Sequence, residues 1–144
     1  MPAGRLQVGF DDIRYDAITL WADASTITFD VTKVNGSAAV GLAVTYTGTA
    51  DTVALCADGD AIVGKLIKVE PDGACTVQNK GMAFLPAGNA ATNTAGVKQI
   101  GALGASSAKG YVRNTNSATA AELPRTGPFA VDVATATAIV VDFG

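Results

Sequence analysis

The sequence predicts an all-β protein: a compact barrel or sandwich of short antiparallel strands, with an extended N-terminal arm and at most one short helix. Turn signals recur roughly every 8–12 residues between short stretches whose apolar side chains alternate with polar ones. The apolar content of 49% leans on Ala, Val, Leu and Ile, with aromatics at only 6%, and 16 glycines supply the turns. A helix fits only at Ser117–Glu122, one or two turns long and stopped by Pro124.

Residues 1–24 read as an arm and 25–144 as the β domain. In the arm, Leu6, Val8 and Phe10 alternate with Arg5, Gln7 and Gly9, the period of a strand with one buried face. Ile13, Tyr15, Ile18, Leu20 and Trp21 then gather large side chains without a clear period. Such a terminal segment suits docking on another surface, or packing back on its own barrel.

Thr26–Val34 carries Ile27, Phe29 and Val31 on one face and Thr on the other. Asn35-Gly36 follows, a strong hairpin signal because both turn positions favour positive φ. It predicts pairing with Ala38–Tyr46. Thr52–Ala57 reads as a short strand and Asp58-Gly59-Asp60 as a turn. Ala61–Glu70 and Ala74–Asn79 form a second hairpin around Pro71-Asp72-Gly73, where Pro presets φ and Gly supplies the left-handed position. Lys80-Gly81 turns again before Met82–Leu85. Asn89–Gly104 reads as a loop leading into a strand near Val97–Leu103, followed by Gly110–Arg113. Phe129–Val133 and Ala138–Phe143 make the last hairpin.

The chain of 144 residues is long enough to bury a core without disulfides or metal. Charged residues make up 16%, against about 25% in typical domains. Either part of the surface is covered by other subunits, or it is a quiet surface of Thr, Ser and Asn. The net charge is −3 and no Lys/Arg cluster occurs, so nucleic-acid binding lacks its electrostatic footprint. No apolar run of about 18 residues is present, and Met1–Phe10 lacks the pattern of a secretory signal, so synthesis in the cytoplasm is expected. In that setting Cys56 and Cys75 are expected to be free buried thiols.

Histidine is absent, which removes His-based triads and most metal sites. Asp58 and Asp60 resemble the start of a calcium loop, but the later ligands are missing. Asp11 and Asp12 are adjacent acids better read as solvated charge than as a glycosidase pair. No catalytic, cofactor-binding or metal-binding residue is assigned, and the expectation is a protein that is not an enzyme and needs no cofactor.

The stretch from Val53 to Gly88 reads VALCADGDAIVGKLIKVEPDGACTVQNKGMAFLPAG. It resembles the capsid cement, or head decoration, proteins of tailed bacteriophages. The matching residues are Asp58, Gly59, Asp60, Gly64, Leu66, Val69, Glu70, Asp72, Gly73, Thr76, Val77, Gln78 and Gly81. Gly110-Tyr111-Val112 and the closing Val140-Val141-Asp142 also fit. The resemblance covers the central quarter of the chain well and the C-terminal third loosely. It departs at the front, where about 50 residues precede the core in place of a short arm.

The resemblance implies a β-barrel-like domain, made in the host cytoplasm, that trimerises on the outer surface of an icosahedral head. Its expected partners are the major capsid protein and its own copies, with neither nucleic acid nor membrane. The arm residues Leu6, Val8, Phe10, Ile13, Tyr15 and Trp21 are the expected capsid contact. An alternative is a receptor- or glycan-binding domain of a phage tail or fibre, for which Trp21, Tyr15 and Asp23 form the grouping of interest.

Overall fold

A computed structural model describes residues 16–89, 91–115, 128–135 and 137–144. Ten strands organise these residues, and no α-helix occurs among them. The strands are β1 (Asp16–Ala22), β2 (Ala43–Tyr46), β3 (Thr52–Leu55), β4 (Gly64–Val69), β5 (Ala74–Lys80), β6 (Met82–Pro86), β7 (Gln99–Ala102), β8 (Tyr111–Asn114), β9 (Phe129–Thr135) and β10 (Ala138–Asp142).

Five strands close into a barrel in the order β1-β3-β2-β4-β5, with β5 returning to β1. Strands of strictly alternating direction close a ring only in even number. A five-strand ring therefore contains a parallel neighbour pair, and here it is β1 with β3 (Trp21 beside Thr52, Ala22 beside Val53). Closure leaves the barrel without an open edge. The inward residues follow the two-residue period: Leu20 pairs with Cys75 and Ile18 with Val77 across β1 and β5, and Leu66 with Val77 across β4 and β5. With Ile27, Val44, Val53 and Val69 they form one core.

The second module is a three-stranded sheet, β6-β10-β9, beside a two-stranded ribbon, β7-β8. Its core contains Ala43, Cys56, Ile62, Ala83, Leu85, Val112, Ala130, Ile139 and Val141. Ala43 and Cys56 belong to the barrel wall, so that wall has core on both sides. The modules are also joined through backbone. The Ala43 N–H donates to the Gly110 carbonyl at 2.9 Å, and the Gly110 N–H to the Cys56 carbonyl at 2.8 Å.

Several elements differ from the expectation. The hairpin of Thr26–Val34 with Ala38–Tyr46 does not form; residues 23–42 make an irregular loop, and the second strand begins at Ala43. Asp side chains redirect this backbone. Asp23 Oδ1 accepts from the Ser25 N–H and hydroxyl, and Asp30 Oδ1 accepts from the Thr32 N–H and hydroxyl. These local bonds compete with a strand ladder. Asn35 and Gly36 do take positive φ, 57° and 88°. They close a small loop in which the Asp30 N–H donates to the Gly36 carbonyl at 2.8 Å.

The barrel's first strand, β1, comes from the segment read as arm, so the barrel begins at Asp16 rather than after residue 24. Leu6, Val8, Phe10, Ile13 and Tyr15 lie outside the described residues, as does the expected helix at Ser117–Glu122. Cys56 and Cys75 are both free and buried.

Candidate functional site

The motif residues Asp58 to Gly81 are used structurally. Asp60 Oδ2 accepts from the Ala57 N–H at 2.8 Å and shapes its own turn, while Asp58 Oδ1 accepts from Arg113 Nε on β8 at 2.8 Å. The two carboxylates thus serve different partners. The Gly59 N–H donates to the Gly101 carbonyl at 2.9 Å, and the Gly101 N–H returns to the Asp60 carbonyl at 2.8 Å. This turn is a joint between the barrel and the ribbon. A Cβ on Gly101 would run into the Ala57 carbonyl, which is why the strand has no side chain there.

Gly64 stands where β4 crosses close over β5, and a Cβ there would meet the Gln78 carbonyl and the Val77 side chain. Glu70, Pro71, Asp72 and Gly73 form the β4–β5 turn. The Gly73 N–H donates to the Glu70 carbonyl at 3.0 Å, Asp72 Oδ1 accepts from the Ala74 N–H at 3.0 Å, and Gly73 has φ 90°. The Glu70 side chain pairs with Lys68 at 2.8 Å, but both are about half exposed (45% and 53%). Such a pair contributes roughly 0–1 kcal/mol, so the backbone of this turn matters more than the charge. Gln78 is buried, and its Nε2 donates to the Lys80 and Met82 carbonyls at 2.9 and 3.0 Å, holding the Gly81 turn into β6.

Among the described residues, burial is the leading influence on the titration of Cys56, Cys75 and Lys65. Burial pushes the Cys56 thiol up, and the Asp60 carboxylate adds to the shift. Burial raises Cys75, opposed by a backbone hydrogen bond with Leu20, and burial lowers Lys65. Among the described residues no three His, Cys, Asp or Glu side chains gather as a metal site would require, and no helix is long and apolar enough to cross a membrane. A cleft of about 610 Å³ between Pro86–Asn89 and Gly104–Tyr111 is lined by neutral groups.

The surface feature that the sequence did not single out is the outward face of β6-β10-β9. The inward face carries Ala83, Leu85, Ala130, Ile139 and Val141, all buried. The opposite face should be polar if it met only water. Instead it presents Met82, Phe84, Phe129 and Val131, between 44% and 57% exposed. Phe84 pairs with Val140 across β6 and β10, and Met82 and Phe129 flank Asp142. The register shifts between Val140 and Val141, pairing Ala130 with Val141 but Asp132 with Val140. The extra residue is Val131, and this bulge turns both Val131 and Asp132 outward. Lys98 Nζ lies 5.5 Å from the centre of the Phe129 ring.

Covering this face would add on the order of 1 kcal/mol for each large side chain, given that each keeps about half its surface in water. A second exposed apolar feature is the tip of the 30–36 loop, where Val31 and Val34 are 81% and 82% exposed. Of the arm residues, Trp21 is described: it points outward from β1 and is 51% exposed. Alternation in Phe129–Val133 and Ala138–Phe143 marked two-faced strands, and their apolar residues on both faces were the available signal.

No family model, curated protein or solved structure matches the chain.

Proposed function

We propose that this chain is a structural virion protein, a capsid decoration protein that binds the outer surface of an icosahedral phage head and stabilises contacts between major capsid subunits. The observation that carries the reading is the outward face of β6-β10-β9, where Met82, Phe84, Phe129 and Val131 stay about half exposed while the cores of the described residues are buried. An apolar sheet face on a folded domain is the kind of surface that packs against another chain. The motif from Asp58 to Gly81 supports the same reading, because its residues build a rigid carrier.

In this reading the arm, including Leu6, Val8, Phe10, Ile13, Tyr15 and Trp21, contacts the major capsid protein, and the β domain contacts copies of itself. Repeating a modest contact by symmetry raises its effective concentration, so a small interface per copy suffices. A clamp that binds only the assembled shell stabilises that shell by linkage. Cosedimentation with phage heads stripped of decoration tests the proposal. The full chain is expected to pellet with the heads and to raise their disruption temperature, and deletion of Met1–Phe10 is expected to weaken binding while the barrel stays folded. A full chain that remains in the supernatant at saturating heads would refute it.

A further inference from the structure

We propose that the cleft between Pro86–Asn89 and Gly104–Tyr111 binds a neutral oligosaccharide, a role beyond docking on a head and independent of it. The cleft encloses about 610 Å³, within the roughly 300–1,000 Å³ of small-molecule sites. Its floor is preformed, because the backbone there is bonded within the fold. The Ala87 N–H donates to the Thr137 carbonyl at 3.0 Å, the Gly88 N–H to the Val112 carbonyl at 2.8 Å, the Asn89 N–H to the Leu103 carbonyl at 2.9 Å and the Ala91 N–H to the Gly88 carbonyl at 3.1 Å. On the opposite wall the Gly104 N–H donates to the Ala108 carbonyl at 2.6 Å. An extended peptide held by main-chain hydrogen bonds would find these donors taken.

What the cleft leaves for a ligand is side-chain chemistry of one kind. The Tyr111 ring lies against Gly104, where a Cβ would collide with it. The ring is partly exposed, and much of the lining beside it is small: Ala87, Gly88, Ala91 and Ala105. Among the described residues, neither the Tyr111 hydroxyl nor the Asn89 carboxamide has a hydrogen-bond partner, and both line the cleft. Each can donate and accept. No ionised side chain lines the cleft, so a phosphate, carboxylate or ammonium would lose water there without meeting a counter-charge. A pyranose matches this lining. Its apolar C–H face can lie on the aromatic ring, and its hydroxyls can bond to the phenol and the carboxamide. The rim adds two more hydroxyls. Ala105 lines the cleft, and the next two residues, Ser106 and Ser107, are exposed with φ 56° and 61°. They are the one consecutive pair of non-glycine residues with positive φ among the described residues. Asn-Gly would form such a turn at less cost, so the serines hold their hydroxyls beside the cleft against backbone strain.

Saturation-transfer NMR on the full chain tests the proposal, with maltotriose, cellotriose, mannotriose and chitotriose as neutral probes and sialyllactose as the charged control. At least one neutral trisaccharide is expected to bind, and sialyllactose to bind more weakly. Tyr111→Ala is expected to weaken that binding by about tenfold or more, and Asn89→Ala by less. Ala105→Trp adds bulk at an exposed position on the cleft wall. It is expected to abolish binding with wild-type circular dichroism, so the outcome does not depend on how well Tyr111→Ala folds. Tyr46→Ala, which removes an exposed aromatic from the barrel, is expected to bind as wild type. Silence from all four neutral sugars, a preference for sialyllactose, binding that survives both Tyr111→Ala and Ala105→Trp, or loss in Tyr46→Ala overturns the proposal. A chain that binds the sugar but stays in the supernatant with phage heads removes the decoration reading and leaves this site. A chain that pellets with heads and binds none of the neutral sugars removes this site alone.

Discussion

Gly64 shows how much of the barrel rests on one missing methyl group. Its backbone lies against the Gln78 carbonyl and the Val77 side chain, both held by neighbouring strands, so neither yields easily. Gly64→Ala is expected to cost about 1–3 kcal/mol in urea unfolding, the usual range for forcing a methyl into a filled space. Cys56 makes a second residue-level case. Its thiol is buried, its Sγ lies 3.9 Å from the Ala61 carbonyl, and burial raises its pKa in the folded state. The unfolded thiol ionises near the ordinary value of 9.0. The folded state therefore keeps a proton that the unfolded state loses, and stability is full below about pH 9 and falls as pH rises further. A thiol reagent at pH 8 is expected to label neither Cys56 nor Cys75 until denaturant is added.

At the scale of elements, the β4–β5 hairpin was legible because its turn is specified locally. Pro71, Asp72 and Gly73 each supply a conformation or bond that the turn uses, and strands of matching period flank them. The 26–36 segment was not legible for the same kind of reason. Its alternating Ile27, Phe29 and Val31 mimic a strand, yet Ile27 alone is buried, at 2% exposure, and Asp30 bonds to Thr32 in place of a ladder. Those bonds hold the Asp30 carboxyl below its usual range, the Thr32 hydroxyl contributing most, and Asp23 is lowered in the same way by Ser25. A carboxylate whose folded pKa is depressed contributes stability above its unfolded pKa, and that contribution disappears as pH falls through the folded value. The loop is therefore expected to be constant from neutral pH down to about 4 and to open below that. Asp30→Ala is expected to accelerate tryptic cleavage after Lys33 at neutral pH while leaving the global melting temperature nearly unchanged.

At the scale of the molecule, two cores share the wall formed by β2 and the end of β3, and the Asp58–Asp60 turn locks that wall to β7. The Gly101 and Gly59 bonds, with Asp58 to Arg113, cross the same joint. Both modules should consequently unfold in one transition. Gly101→Val would push the joint open, because its side chain would enter the space of the Ala57 carbonyl. Calorimetry is expected to show a single peak for the wild type and two resolved peaks, or a broadened one, for that variant.

Local chemistry sufficed for the all-β class, for the turns at Asp58-Gly59-Asp60 and Pro71-Asp72-Gly73 and for the burial of Cys56 and Cys75, because these depend on near neighbours and on side-chain type. The motif glycines were also visible as special positions, although the reason each must be glycine lies in the chain that crosses it. The barrel's closure through a parallel β1–β3 pair is a property of how five strands meet, and no period in Asp16–Ala22 encodes it. The exposed face of Met82, Phe84, Phe129 and Val131 is of the same kind. A two-residue period says that a strand has two faces, but which of them finds a partner within the chain depends on what the rest of the fold brings near.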